Sequence, residues 1–192
     1  MALECKPNSF KTQVSSCLPE GGVAAVRAIN AADIDLGMMN GALATYFDTA
    51  TYQFKAVALP LVASKAWATL EPDFADAART ATSPAKRTYH DIAISSLRFQ
   101  GGTDTKKLQE FKKAGRLVTT TLLNNGSRIV DGIYYNENTG KLEISDPYQP
   151  MQLAETVDSS STFDNDLGQN LVVNLAGRQP HKGFDALFTW TS

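Results

Sequence analysis

His90-Asp91 is the one adjacent histidine–carboxylate pair in the chain. A general acid–base dyad needs both groups in one site, but neighbours on a strand point to opposite faces. The pair therefore reads as a strand-edge histidine beside a solvated aspartate. His181 stands in a Pro-His-Lys-Gly loop and reads as a surface residue. Cys5 and Cys17 complete a thin set of soft ligands. A structural zinc site takes about four ligands, and these four residues are far apart in sequence. Two idle thiols are expected, with a bridge across a small N-terminal loop as the alternative. Asp158, Asp164 and Asp166 offer hard oxygens to Ca²⁺, but the EF-hand spacing and its closing glutamate are missing, so a solvated acidic loop is expected. Gly21-Gly22 and Gly101-Gly102 lack the surroundings of a phosphate-cradling loop and read as turns. No serine stands in a Gly-x-Ser-x-Gly turn. The residues nominate no catalytic, cofactor-binding or metal site, and the chain reads as no enzyme.

Lys106, Lys107, Lys112 and Lys113 form the densest basic cluster. On a helix they cannot all share one face, so a solvated helix surface is expected, with an anion-facing patch as the alternative. The helix itself is well marked. Thr103-Asp104-Thr105 offers caps, Leu108 and Phe111 fall on one stripe, and Gly115 supplies the stop. Both Leu108 and Phe111 are expected to dock on a sheet.

Strands account for most of the rest. Val23–Ile29 lies between a double glycine and Asn30. Tyr52–Leu59 alternates, with Tyr52, Phe54, Ala56 and Ala58 on one face, and stops at Pro60. Gly37, Asn40 and Gly41 mark loops between these two strands. Tyr89–Phe99 is β-rich and ends at Gly101. Leu117–Leu123 and Arg128–Tyr135 flank Asn124-Asn125-Gly126, a turn suited to a tight hairpin. Glu137–Gly140 is a second turn, followed by the alternating Lys141–Ser145. Met151–Val157 and a strand from Leu171 to Gly177 complete the set.

Three stretches fall outside that pattern. Residues 1–20 read as an irregular N-terminal segment. Residues 60–87 are rich in Ala, Ser, Thr and Pro, with Ser64–Leu70 able to form a helical turn. They read as a long loop or arm outside the main core. The apolar C-terminal segment 178–192 carries Phe184, Leu187, Phe188 and Trp190 and is expected to pack on its own core or a neighbour. The expected fold is mainly β, about six to eight mostly antiparallel strands in a β-sandwich or barrel with one flanking α-helix.

Composition sets the outer bounds. The 192 residues are enough for one domain with a real core, 1–192. Lys and Arg number 18 against 20 Asp and Glu, which argues against a nucleic-acid binder working by bulk basic charge. No apolar run nears the roughly 20 residues that cross a bilayer, so no membrane is expected. The first residues lack the pattern of a secretory signal.

The order of features resembles a known class. Cys17 precedes Gly21-Gly22 and a strand ending in Ile29-Asn30, then Asp33-Ile34. Later come a strand, the Leu108-to-Phe111 helix, a strand, Asn124-Asn125-Gly126, and a strand leading to Asp131-Gly132. Asp166-Leu167-Gly168 then leads into Leu171–Gly177. This arrangement resembles virion structural proteins of tailed bacteriophages, particularly those of the tail tube. The resemblance implies a β-sandwich protomer with a flanking helix. It further implies homo-hexameric rings joined sheet edge to sheet edge and stacked into a hollow tube, through which genomic DNA passes. Other virion proteins would be partners, and the protein would be made in the host cytoplasm and located in the virion tail. No cofactor and no catalytic residue is carried over. A capsid-decorating protein, a head–tail completion protein or a tail terminator is the neighbouring alternative. A soluble binding module using Trp67 and Trp190 as an aromatic platform is another. An enzyme would need a pocket joining His90 or His181 to a carboxylate.

Overall fold

The computed structural model describes residues 22–55, 63–72, 77–82, 89–99, 105–124, 126, 128–145, 148–158 and 171–180. Twelve strands appear among them: β1 (Val23–Asn30), β2 (Phe47–Asp48), β3 (Gln53–Phe54), β4 (Ala68–Pro72), β5 (Ala78–Thr82), β6 (Tyr89–Phe99), β7 (Leu117–Leu123), β8 (Arg128–Asp131), β9 (Ile133–Asn136), β10 (Lys141–Ile144), β11 (Gln152–Asp158) and β12 (Leu171–Pro180). Three helices join them: α1 (Leu36–Gly41), α2 (Leu43–Tyr46) and α3 (Thr105–Ala114).

The main sheet is antiparallel and runs β11-β12-β6-β4-β1-β7-β8. β5 also pairs with β6 and lies end to end with β4 along it: Pro72 faces Leu97 and Ala78 faces Ser95. A bridge from Gly22 to Ala78 puts β5 beside the start of β1. Residues 68–72 and 78–82 therefore form the middle of the sheet, with Leu70 and Ala77 buried. For 68–72 and 77–82 this corrects the reading of 60–87 as an arm outside the core, and for 68–70 that of Ser64–Leu70 as a helical turn. The pairing is non-local, and alanine and threonine accept a strand when partners stand on both sides. Deleting 64–84 would remove that strand, so the deletion is expected to abolish folding rather than spare it.

The sheet is curled into a half-barrel, not two stacked layers. Arg79 on β5 and Asp131 on β8 are separated by β1 and β7. Three strand spacings span about 14 Å on a flat sheet. Yet the guanidinium donates to both carboxylate oxygens at 2.9 and 2.8 Å. Gln179 near the end of β12 accepts from Gly132 N–H beside β8 at 2.9 Å, from almost the opposite margin. Leu117 N–H donates to Met151 O at 2.7 Å across the same gap. These diagonal links have the register offset that tilted strands acquire as a sheet closes on itself.

Alternation divides the apolar residues into two clusters. Val26, Ala28, Leu70, Ile92, Ile94, Leu97, Leu117, Val173 and Leu175 fill the concave interior. Ile29, Val118 and Val130 point outward and meet a lobe built from α1, α2 and the β2–β3 and β9–β10 hairpins. β7 is buried on both faces because it divides the two clusters. β6 keeps Ile94 and Leu97 inward despite their odd spacing. Ser96, at φ 57°, makes a bulge there, and Asn174 Oδ1 accepts its N–H at 3.0 Å.

The short elements differ from the sequence expectation in three places. The 36–46 stretch, read as loops, holds α1 and α2, with Asp35 Oδ1 capping Met38 N–H at 2.8 Å and Met39 fully buried. The Tyr52–Leu59 strand reduces to β3 among the described residues. Tyr52 turns at φ 54°, and Ala56–Leu59 lie outside those described. The Arg128–Tyr135 strand breaks at Gly132, φ 98°, where an added Cβ would lie 2.4 Å from Leu117 O. Only glycine lets the chain leave the main sheet there and enter the β9–β10 ladder. β12 runs on through Arg178 to Pro180, so the first residues of the expected C-terminal segment belong to the sheet. Residues 1–20 and 181–192 lie outside the described residues.

α3 matches its expected span. Gly115 follows it at φ 67°, the left-handed stop. Phe111 is half-buried against Phe99, ring centroids 5.5 Å apart. The side chain of Leu108 lies outside what is described.

Candidate functional site

The sheet has two margins, and β11 forms the longer. It pairs with β12 alone among the described residues. Its other side has no strand partner among the described residues over Gln152–Asp158, and α3 lies against the strand. That sequence contains no Lys, Arg or Pro, and its charges are Glu155 and Asp158. One bulge at Ala154 interrupts the register. Gln152 and Ala154 are exposed.

The segment leading into β11 is anchored firmly. Met151 is fully buried, and its carbonyl takes the Leu117 N–H. Gln149 O accepts Arg178 N–H at 2.8 Å. The approach needs Gly177, since a Cβ there would lie 2.6 Å from Met151 Cα. Between these anchors and the preceding chain, Tyr148 is 92 % exposed. Its signal in sequence is an aromatic residue between Pro147 and Pro150, which the strand pattern passes over. An anchored aromatic beside an unpaired edge can join another sheet by backbone pairing and hold it by side-chain contact.

The residues singled out for chemistry separate in space. His90 is buried and paired in register with Gln179, while Asp91 turns outward to Arg178 at 2.7 Å. The two side chains diverge as strand neighbours do, but His90 is buried on a central strand rather than at an exposed edge, which corrects that part of the reading. Lys112 and Lys113 are exposed in the last turn of α3. Among the described residues, no group of three or more His, Cys, Asp or Glu is placed to hold a metal. Asp158 is the last residue of β11, whereas Asp164, Asp166, His181, Trp190, Cys5 and Cys17 lie outside the described residues. Among the described residues, no helix is long and apolar enough to cross a membrane.

Two polar arrangements were not visible in sequence. One is the Arg79–Asp131 pair, whose side chains are 7 % and 0 % exposed in the barrel interior. Arg79 is the one cation in an Ala/Thr run, and Asp131 ends an apolar strand. Those are weak signals, because partnership across the barrel depends on curl. The other is a network on the outer lobe. Glu143 accepts from Tyr134 at 2.8 Å, Asn136 at 3.0 Å and Thr139 at 2.7 Å. The Asn136 amide, with Thr139 and Tyr134 adding to it, holds the Glu143 carboxyl below its ordinary value against the opposing effect of burial. Burial first, then the adjacent carboxylate, pushes the Tyr134 phenol up to about 12. These hydrogen bonds tie β9 to β10 across the hairpin.

A cleft of about 620 Å³ opens between α3 and the β1–β4 rim, with Trp67 and Phe111 in its walls. No family model matches the chain, and no curated protein or solved structure is similar to it.

Proposed function

We propose that the chain is a self-assembling structural subunit, and within that class a tail-tube protomer of a tailed bacteriophage. The β11 edge, which pairs with β12 alone among the described residues, carries the reading. A curled sheet that ends on such a strand can take a neighbour's strand beside it. Head-to-tail joining of such edges closes into a ring when the rotation per subunit fits, and six protomers per ring is the number the tail-tube reading requires. Stacked rings would enclose a lumen for genomic DNA. The near balance of 18 basic and 20 acidic residues suits a wall that does not hold phosphate. The order of elements supports the same reading: a long strand, one amphipathic helix, then a hairpin.

The test places charge on the edge without touching the core. Gln152→Lys with Ala154→Lys alters two exposed positions. Light scattering across concentrations is expected to show assembly for the parent and a monomer for the double variant. Unfolding should shift by no more than about 0.5 kcal/mol. A parent that stays monomeric at every concentration removes the self-assembly reading and favours a virion protein that needs a partner shell.

A further inference from the structure

We infer that the cleft between α3 and the β1–β4 rim is a binding site for a neutral saccharide. Its volume of about 620 Å³ is in the range of small-ligand sites. It lies where the interior cluster, through Phe111 and Ala114, meets the outer cluster, through Trp67. Trp67 is only partly buried, yet its Nε1 is inaccessible and has no acceptor among the described residues. The part of the indole open to the cleft is therefore its carbon framework, a flat apolar platform of the kind on which the C–H face of a sugar ring packs.

The rim decides the ligand's charge. Lys65 pairs with Asp33 at 3.2 Å, and Lys113 stands one turn after Glu110 on α3. Two cations and two carboxylates leave no net field to select an anion or a cation. Together they offer both donors and acceptors around an aromatic wall, the mixture that hydroxyl groups require. An extended peptide fits less well. β1 already pairs with β4 and β7, and β4 with β1 and β6, so neither strand of the cleft has a free edge to extend.

Isothermal titration calorimetry of the full chain with cellotetraose, maltotetraose and chitotetraose tests the site. Saturable binding of at least one sugar is expected, with a dissociation constant at or below roughly 1 mM. Trp67→Ala should weaken it about tenfold or more. Because Trp67 also packs on the outer cluster, Glu110→Ala and Lys113→Ala provide a second check on an exposed helix face, each expected to weaken binding about threefold or more. No heat from any of the three sugars at roughly 10 mM overturns the inference. So does binding that all three variants leave unchanged, which would put the sugar elsewhere. Heats of dilution from the protein alone, lost in Trp67→Ala, would assign the cleft to a second copy of the chain and also overturn it.

Discussion

The barrel interior and the outer lobe share β7 as a wall and are held together by different means. The interior is aliphatic, with Ile92, Ile94, Leu97, Leu117, Val173 and Leu175 all at or below 2 % exposure. Its buried polar residues include an ion pair that spans the curl. The lobe is aromatic: Phe47 lies 5.0 Å from Phe54 and 5.3 Å from Tyr135 between ring centroids. Its tie to the short helices is a side chain acting as backbone. Asn40 of α1 donates to Leu142 O at 3.0 Å and accepts its N–H at 2.8 Å. A long sheet closes through register and charge. Short hairpins that cannot bury themselves are fixed by rings and amide clamps.

Breaking the interior's ion pair should have the largest effect. Asp131→Ala leaves the Arg79 guanidinium buried without its carboxylate and is expected to cost about 3–5 kcal/mol in urea unfolding. Replacing both, Arg79→Met with Asp131→Leu, should recover most of that loss. A single-variant cost below about 1 kcal/mol would mean that the pair does not hold the curl. Phe47→Ala, at the centre of the lobe, is expected to cost about 3–5 kcal/mol. Hydrogen exchange gives the sharper reading. Amides of Ile133 and Leu142 should open faster while those of Ile94 and Leu97 keep their protection. Equal acceleration of both sets would make the two clusters one cooperative unit.

Phe111→Ala ranks next. Half-buried against Phe99, it should cost about 2–3 kcal/mol. Asn40→Ala removes both partners of Leu142 and should cost about 1–2 kcal/mol, seen as faster exchange in β10. The smallest effect is a pH slope. Glu143 has a folded value below its unfolded one, so its contribution is present above the ordinary carboxylate range and lost as pH falls through the folded value. The lobe should loosen first on acidification, and Glu143→Gln should flatten that slope when β10 exchange is followed against pH.

The sequence made some elements plain and concealed others for physical reasons. Tyr89–Phe99, α3 and the pair of strands β7 and β8 are set by local residues, and they appear where alternation, helical periodicity and a glycine stop put them. β4 and β5 are set by partners on either side, so their Ala/Thr/Pro composition concealed a central strand. The bulge at Ser96 shifts the inward face by one residue, which is visible afterwards in the spacing of Ile94 and Leu97. Gly132 and Gly177 look like turn glycines but serve close approach to Leu117 and Met151. The place of β11 at the margin of the described sheet and the Arg79–Asp131 crossing belong to the curl of the whole sheet, which no local window carries.

The central claim is the proposal that the β11 edge, without a second strand partner among the described residues, joins this chain to others in a larger closed body. Negative-stain electron microscopy of the purified protein over a range of concentrations tests it most directly. Rings or hollow tubes for the parent, absent from Gln152→Lys with Ala154→Lys, are the expected result. Isolated particles of monomer size at every concentration, indistinguishable between parent and variant, would contradict it.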